Sequence, residues 1–207
     1  MPGLRALPVT APAGGLAALR RRGFHLEYAS MAWMTVEAVV AITAGVVASS
    51  IALVGFGLDS VIEFFAAAIV VWQLRGGEQE DREARAVRLI GVTFFALAAY
   101  LAVEAIRDLA GQTRPAESLP GLAVAAAALL VMPLLAVAKR RTGRALGNRT
   151  LIADSAETAF CAATSAATLL GVGLNAWLGW WQADPIAALV IAALAVKEGL
   201  EAWKDDD

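Results

Sequence analysis

Residues 51–72 read IALVGFGLDSVIEFFAAAIVVW, an apolar segment in which Asp59 and Glu63 are the only ionisable side chains. About 20 consecutive apolar residues are enough to cross a bilayer as an α-helix. The predicted span continues to residue 74, and five further runs of this kind lie at 28–48, 87–108, 120–138, 150–176 and 184–203. Hydrophobic residues make up 59% of the 207-residue chain, and most runs lack the polar face of a soluble bundle. The sequence therefore predicts an all-α polytopic membrane protein with six transmembrane helices.

The distribution of basic residues predicts the orientation of these helices. Of the 17 Lys and Arg residues, all except Arg107 and Arg114 lie in the N-terminal arm, the second loop, the fourth loop (139–149) or the C-terminal segment. Basic residues are retained on the cytoplasmic side, so both termini are expected there. We expect a flexible cytoplasmic arm at 1–27, a six-helix membrane domain at 28–203 and a short acidic tail at 204–207. The predicted location is the inner (cytoplasmic) membrane of a bacterium.

Several classes of function are disfavoured by composition. A lone cysteine excludes an internal disulfide framework. The only histidine, His25, lies outside the predicted spans, and no nucleophile–base constellation is visible, which argues against an enzyme. No nucleic-acid partner is expected.

The two carboxylates of the second span are the first functional signal. Asp59 and Glu63 are four residues apart, so they share one helix face and lie ~6 Å apart along the axis. Glu63 is ~18 Å from Ile51, which places it near the bilayer midplane. A charge at that depth costs ~2.5–3.5 kcal/mol on insertion scales, so buried acids there are functional by default. The alternative is a pair that only hydrogen-bonds neighbouring helices.

A matching pair lies on the fifth span, where Glu157 and Cys161 repeat the four-residue spacing. Cys161 is ~16 Å from Thr150, close to the depth of Glu63 on an antiparallel helix. Two such pairs supply four ligands, the tetrahedral number that zinc prefers, and zinc accepts both carboxylate and thiolate. Taken alone, a cysteine such as Cys161 is more often a small buried apolar residue than a ligand.

Other embedded acids have less specific interpretations. Glu37 in the first span and Asp154 at the start of the fifth span are candidates for a proton relay or for supporting the ligands. Glu37 is equally well explained by a hydrogen bond to a neighbour. Asp184 precedes Pro185 at the start of the sixth span, where we predict a helix N-cap. Glu104 is expected to pair with Arg107 near the external end of the third span.

Three motifs together resemble the transmembrane domain of the cation diffusion facilitator family: SSIALVGFGLDSVIE (49–63), IADSAETAFC (152–161) and ADPIAALVIAALAVKEG (183–199). The resemblance covers roughly residues 28–203. It implies six spans, cytoplasmic termini and export of divalent metals in exchange for protons. It also implies a site formed by a D-x-x-x-D pair and an H/D-x-x-x-D pair. Those positions correspond here to Asp59 with Glu63 and to Glu157 with Cys161.

The chain departs from that family in ways that affect the metal and the assembly. Glu63 and Glu157 replace the commoner Asp and His, and Cys161 replaces an Asp. The His-rich loop of many zinc transporters is missing. The usual cytoplasmic C-terminal domain is also missing from this sequence, so it resembles a short member. A homodimer would then form through the transmembrane helices.

These features predict a divalent metal/proton antiporter with a four-ligand site near the midplane. Zinc is favoured, while cadmium, iron(II), cobalt(II) and manganese(II) remain open. The metal is the transported substrate, and no prosthetic group is expected. The partners are the metal ion, protons and the lipid bilayer. The alternatives are a non-metal or proton-coupled transporter that uses the same acids, and an interaction or scaffold protein whose polar residues join helices.

Overall fold

A computed structural model describes residues 13–75 and 80–204, and within these ranges all regular structure is helical. The six helices are α1 (Ala13–Ala48), α2 (Ile51–Leu74), α3 (Glu80–Gly111), α4 (Leu119–Leu146), α5 (Arg149–Leu178) and α6 (Ala183–Lys204). Four of them, α1, α2, α4 and α5, are long and apolar enough to cross a membrane. The predicted all-α polytopic class is therefore confirmed. That α3 and α6 also cross, with both termini in the cytoplasm, stays a prediction.

The second helix has the bounds that its sequence predicted, whereas the first helix differs. α1 begins at Ala13, so the part of the predicted flexible arm between residues 13 and 27 is helical. The Arg20 guanidinium donates from Nε to the Leu74 carbonyl at 2.8 Å, and Phe24 packs against a small apolar cluster containing Leu74. These contacts hold the start of α1 against the end of α2. Residues 1–12 of the predicted arm lie outside the described residues, as do 205–207 of the predicted tail.

The fourth helix also extends beyond its predicted end. The apolar run stops at residue 138, but α4 continues to Leu146 through the basic segment that was predicted to be a loop. Gly147 ends the helix with φ 65°, a left-handed conformation that glycine adopts without steric cost. Asn148 then caps α5 by accepting a hydrogen bond from the Leu151 amide at 2.7 Å. The connection between α4 and α5 is therefore very short.

The helices form one bundle with α2 at its centre. α2 packs against α1, α3, α5 and α6, while α5 also packs against α4 and α6. Fully buried apolar side chains such as Phe56, Leu101, Met132 and Ile191 fill the core. Large apolar side chains such as Leu134 face outward, which suits a lipid-facing surface. This arrangement makes the two helices that carry the predicted pairs direct neighbours.

The turns at one end of the bundle are joined by Asp184. Its Oδ1 accepts a hydrogen bond from the Ser50 hydroxyl at 2.5 Å, and its Oδ2 accepts one from the Ala52 amide at 3.3 Å. The predicted cap of α6 is thus corrected, because Asp184 caps the start of α2 instead. The carboxylate satisfies amide donors that α2 leaves free. We call this the Asp184 end, and the opposite end of the bundle the Lys139 end.

Candidate metal site

Three metal-ligating side chains meet in the middle of the bundle. Asp59 and Glu63 on α2 and Cys161 on α5 each place one ligand atom within 4.8 Å of the others. All three side chains are buried, with exposed fractions of 1%, 3% and 0% respectively. Asp59 and Glu63 lie ~12 and ~18 Å along α2 from its first residue. We call these three residues the carboxylate–thiol cluster.

The cluster has few hydrogen-bond donors around it. The Thr164 hydroxyl donates to Asp59 Oδ2 at 3.1 Å, while neither carboxylate oxygen of Glu63 has a hydrogen-bond partner among the described residues. The Cys161 thiol donates to Glu37 Oε1 at an Sγ–O distance of 3.6 Å. Among the side chains that the structure describes, no Lys or Arg forms an ion pair with any residue of the cluster. The negative charge that these groups carry when ionised therefore lacks an internal counter-charge.

Glu157 was predicted to complete the site, but the structure does not bring it into the cluster. Its side chain is partly exposed, and its charged neighbours include Asp154, Glu198 and Lys139 as well as Asp59 and Glu63 of the cluster. Glu157 precedes Cys161 by one helical turn, so it lies ~6 Å further toward the Lys139 end.

Asp154 was predicted as a relay or supporting residue, and it lies instead in a second buried cluster. Its Oδ2 is 2.5 Å from the Lys139 ammonium, which also contacts Glu27 Oε2 at 3.1 Å and Thr158 Oγ1 at 3.2 Å. Lys139 and Glu27 are both completely buried. Glu27 belongs to α1, Lys139 to α4, and the other two to α5. We call these four residues the Lys139 network.

The burial of Lys139 was not predicted, because this residue begins a basic run, KRR, after an apolar segment. Its spacing contained the signal, since Met132, Ala136 and Lys139 follow one another at steps of four and three residues. All three are buried on one face of α4. The predicted assignment of Lys139 to a loop is therefore wrong. Glu27 was not predicted as a buried residue either, because it fell in the segment interpreted as a flexible arm.

The ion pair that was predicted between Glu104 and Arg107 on α3 is present in the structure. Arg107 Nη1 lies 2.7 Å from Glu104 Oε1, in an ion pair that is largely exposed. This pair lies outside the core and contributes little stability in water. A substitution in this pair can therefore serve as a surface control for substitutions in the two buried clusters.

The two buried clusters differ in their chemical capacity. The Lys139 network holds carboxylates that are already paired with a cation of the protein. The carboxylate–thiol cluster holds two carboxylates and a thiol, which are ligands that a zinc-like ion accepts, and they converge on one volume. Buried carboxylates without a counter-charge either keep a proton or bind an external cation. The carboxylate–thiol cluster therefore has the chemistry of a cation site.

Comparison with known proteins gives two findings. Residues 86–206 match the family model of the cation efflux transmembrane domain, a range that contains Cys161 but does not reach Asp59 and Glu63. The chain is also 28% identical over 138 residues to transmembrane protein 163 of Xenopus laevis, which is 65% of this chain and 49% of that protein. The chain thus spans about half the length of this relative.

Proposed function

The chain belongs to the cation efflux family, as its resemblance to cation diffusion facilitators predicted, and from this premise we propose that it exports a divalent metal ion in exchange for protons. The observation that supports this proposal is the carboxylate–thiol cluster, which is buried in the bundle and has no basic partner among the described side chains. Asp59, Glu63 and Cys161 are the proposed ligands. The location in a bacterial inner membrane also stays a proposal, since the relative named above comes from a frog.

The ligand types favour a particular class of metal. Carboxylate oxygen alone suits hard ions such as magnesium and calcium, whereas a thiolate adds preference for zinc and cadmium. Cys161 supplies the one thiol of the chain, and it is buried beside both carboxylates. Zinc is therefore the proposed substrate. Cadmium, iron(II), cobalt(II) and manganese(II) are the ions against which this preference is measured.

Proton exchange follows from the same residues. Asp59 and Glu63 are buried close together, and both cannot stay ionised without a cation, because burial and mutual repulsion penalise the second charge. A metal ion displaces protons from its ligands when it binds. If the empty site returns across the membrane with its protons, each transport cycle moves metal and protons in opposite directions. The same site thereby couples the two fluxes.

Metal-dependent proton flux in proteoliposomes tests this function. We expect zinc on one side to drive proton movement in the opposite direction, with a smaller response to manganese and none to magnesium. Glu63→Gln keeps the size of the side chain and removes its charge. We expect it to reduce zinc flux at least tenfold, about 1.4 kcal/mol or more.

Glu104→Gln is the matched control, because it removes a carboxylate that pairs with Arg107 at the surface. It should transport zinc at the wild-type rate. Proton flux that ignores zinc and chelators would instead support a proton pathway without metal. Wild-type zinc flux by Glu63→Gln at equal protein levels would contradict the proposed site.

A further inference from the structure

We propose that Glu37 of α1 is the fourth metal ligand, so that the transported ion is held by three helices, α1, α2 and α5. This inference rests on the proposed function, because it adds a ligand to the same site. It also replaces Glu157, the residue that the family resemblance implied for this role. The geometry around Cys161 carries the inference.

The Glu37 carboxylate already contacts the cluster. Its side chain is completely buried, and its Oε1 accepts the hydrogen bond from the Cys161 thiol at 3.6 Å. Its other oxygen, Oε2, is buried and has no hydrogen-bond partner among the described residues. A buried carboxylate oxygen without a donor is costly unless a proton or a cation satisfies it. Glu37 thus resembles Glu63, whose two carboxylate oxygens are also buried without a hydrogen-bond partner among the described residues.

The close packing of α1 on α2 explains why a first-helix residue reaches this position. A Cβ atom added to Gly57 would lie 2.9 Å from the Ile42 backbone nitrogen and 3.2 Å from the Ala38 carbonyl oxygen. The two backbones are therefore in direct contact near Glu37, which adjoins Ala38, and near Asp59, which follows Gly57 by two residues. Glycine permits this approach because it has no side chain.

The burial and the contacts of the two residues favour Glu37 over Glu157. Glu157 is partly exposed and lies toward the Lys139 end, and its charged neighbours include Asp154, Glu198 and Lys139 besides Asp59. Glu37 is completely buried and contacts Cys161 directly, through a hydrogen bond that exists only while the thiol keeps its proton. Metal binding would remove that proton and leave the carboxylate facing the ion.

Three carboxylates and one thiol also fit the preferred coordination number. Asp59, Glu63, Cys161 and Glu37 supply the four ligands of a tetrahedral zinc-like site. The Glu37 oxygen nearest the thiol does not lie within 4.8 Å of the ligand atoms of all three cluster residues. A rotation of the flexible Glu37 side chain would bring it into the site, because its contact with Cys161 already places it on the correct side.

Cadmium titration of the full-length protein in detergent tests the inference. The bond between cadmium and a thiolate has an ultraviolet charge-transfer absorption, which reports directly on Cys161. We expect this absorption in the wild type. Glu37→Gln should lower cadmium affinity at least tenfold while the absorption still appears at saturation, since Cys161 remains. Glu157→Gln, the matched control with the same chemical change, should shift affinity by less than about threefold.

The outcomes separate this inference from the proposed function. Weak binding by Glu157→Gln together with wild-type binding by Glu37→Gln would overturn the role of Glu37 and leave the transporter proposal intact. No thiolate absorption in the wild type would contradict the proposed site itself. If Glu37→Gln does not fold, Glu37→Asp keeps the carboxylate on a shorter side chain. It should bind cadmium more weakly than the wild type, and unchanged affinity would also overturn the inference.

Discussion

The carboxylate–thiol cluster and the Lys139 network are two buried acidic groups in one bundle, and they differ in their counter-charge. In the network, Lys139 lies 2.5 Å from Asp154 and 3.1 Å from Glu27, so the protein supplies its own cation. In the cluster, Asp59 and Glu63 are buried to the same degree without a basic partner among the described side chains. The comparison teaches that burial of acids alone does not indicate a cation site. The informative feature is burial without internal compensation.

This difference separates a structural role from a transport role. Breaking a buried ion pair leaves an uncompensated charge and costs ~3–5 kcal/mol. Neutralising a buried carboxylate that has no ion-pair partner breaks no such pair, and it removes a charge whose burial is unfavourable. Substitutions in the network should therefore act on stability, and substitutions in the cluster should act on metal binding.

The largest expected difference is in thiol labelling at the two ends of the bundle. A cysteine at one end should react with an external reagent, and a cysteine at the other end should not. Glu117 at the Asp184 end and Arg141 at the Lys139 end are both exposed, and the native Cys161 is buried. A membrane-impermeant thiol reagent should label Glu117→Cys on intact cells, because the distribution of basic residues predicts that the Lys139 end faces the cytoplasm. Arg141→Cys should react only after permeabilisation. The opposite pattern would reverse the predicted orientation.

The next largest effect is expected in the Lys139 network. Lys139→Met keeps a long unbranched side chain but leaves Glu27 and Asp154 without their cation. We expect the free energy of unfolding to fall by ~3–5 kcal/mol, measured by chemical unfolding in detergent. Arg140→Met changes an exposed neighbour on the same helix. It should shift the free energy of unfolding by less than ~0.5 kcal/mol.

A triple variant sharpens this test. Combining Lys139→Met with Glu27→Gln and Asp154→Asn removes every charge of the network at once. It should recover more than half of the lost stability, because buried ion pairs are often replaced by uncharged groups at small cost. A triple variant as unstable as Lys139→Met would show that the loss came from packing of the lysine stem.

A smaller effect, on metal preference, is expected at Cys161. Cys161→Ala should weaken zinc and cadmium binding about tenfold, or ~1.4 kcal/mol, because a soft ligand is lost. Its effect on stability should be smaller, since alanine packs acceptably in that place. Cys161→Asp should stay active and shift transport from cadmium toward manganese. A cysteine that only fills the core predicts the reverse, with a harmless alanine and a damaging buried aspartate.

The smallest effect is expected for the stability of Glu63→Gln without metal. Neither oxygen of Glu63 has a hydrogen-bond partner among the described residues, so the substitution breaks no such contact. The free energy of unfolding should therefore stay within ~1 kcal/mol of the wild type, or rise. The measurement is made in chelator beside Lys139→Met. A loss as large as that of Lys139→Met would remove the distinction between the two clusters.

Much of the architecture could be predicted from local sequence. The run from Ile51 to Leu74 was assigned to one helix with the bounds that the structure has. Helix length, apolar character and the four-residue spacing of Asp59 and Glu63 depend only on neighbours along the chain. The ends of α1 and α4 were less predictable. Their charged segments look exposed until Glu27 and Lys139 are seen to compensate each other.

The amino-acid sequence is enough to predict a membrane bundle with acids on the faces of α2 and α5. Which of these acids meet depends on how the helices pack. Helical spacing fixes the face and the depth of Glu157 and Cys161, but not how α5 packs against α2. That packing brings Cys161 within 4.8 Å of the α2 pair, while the close contact of α1 at Gly57 accompanies the hydrogen bond between Glu37 and Cys161. Helix crossings depend on side chains far apart in sequence, so no local pattern contains them.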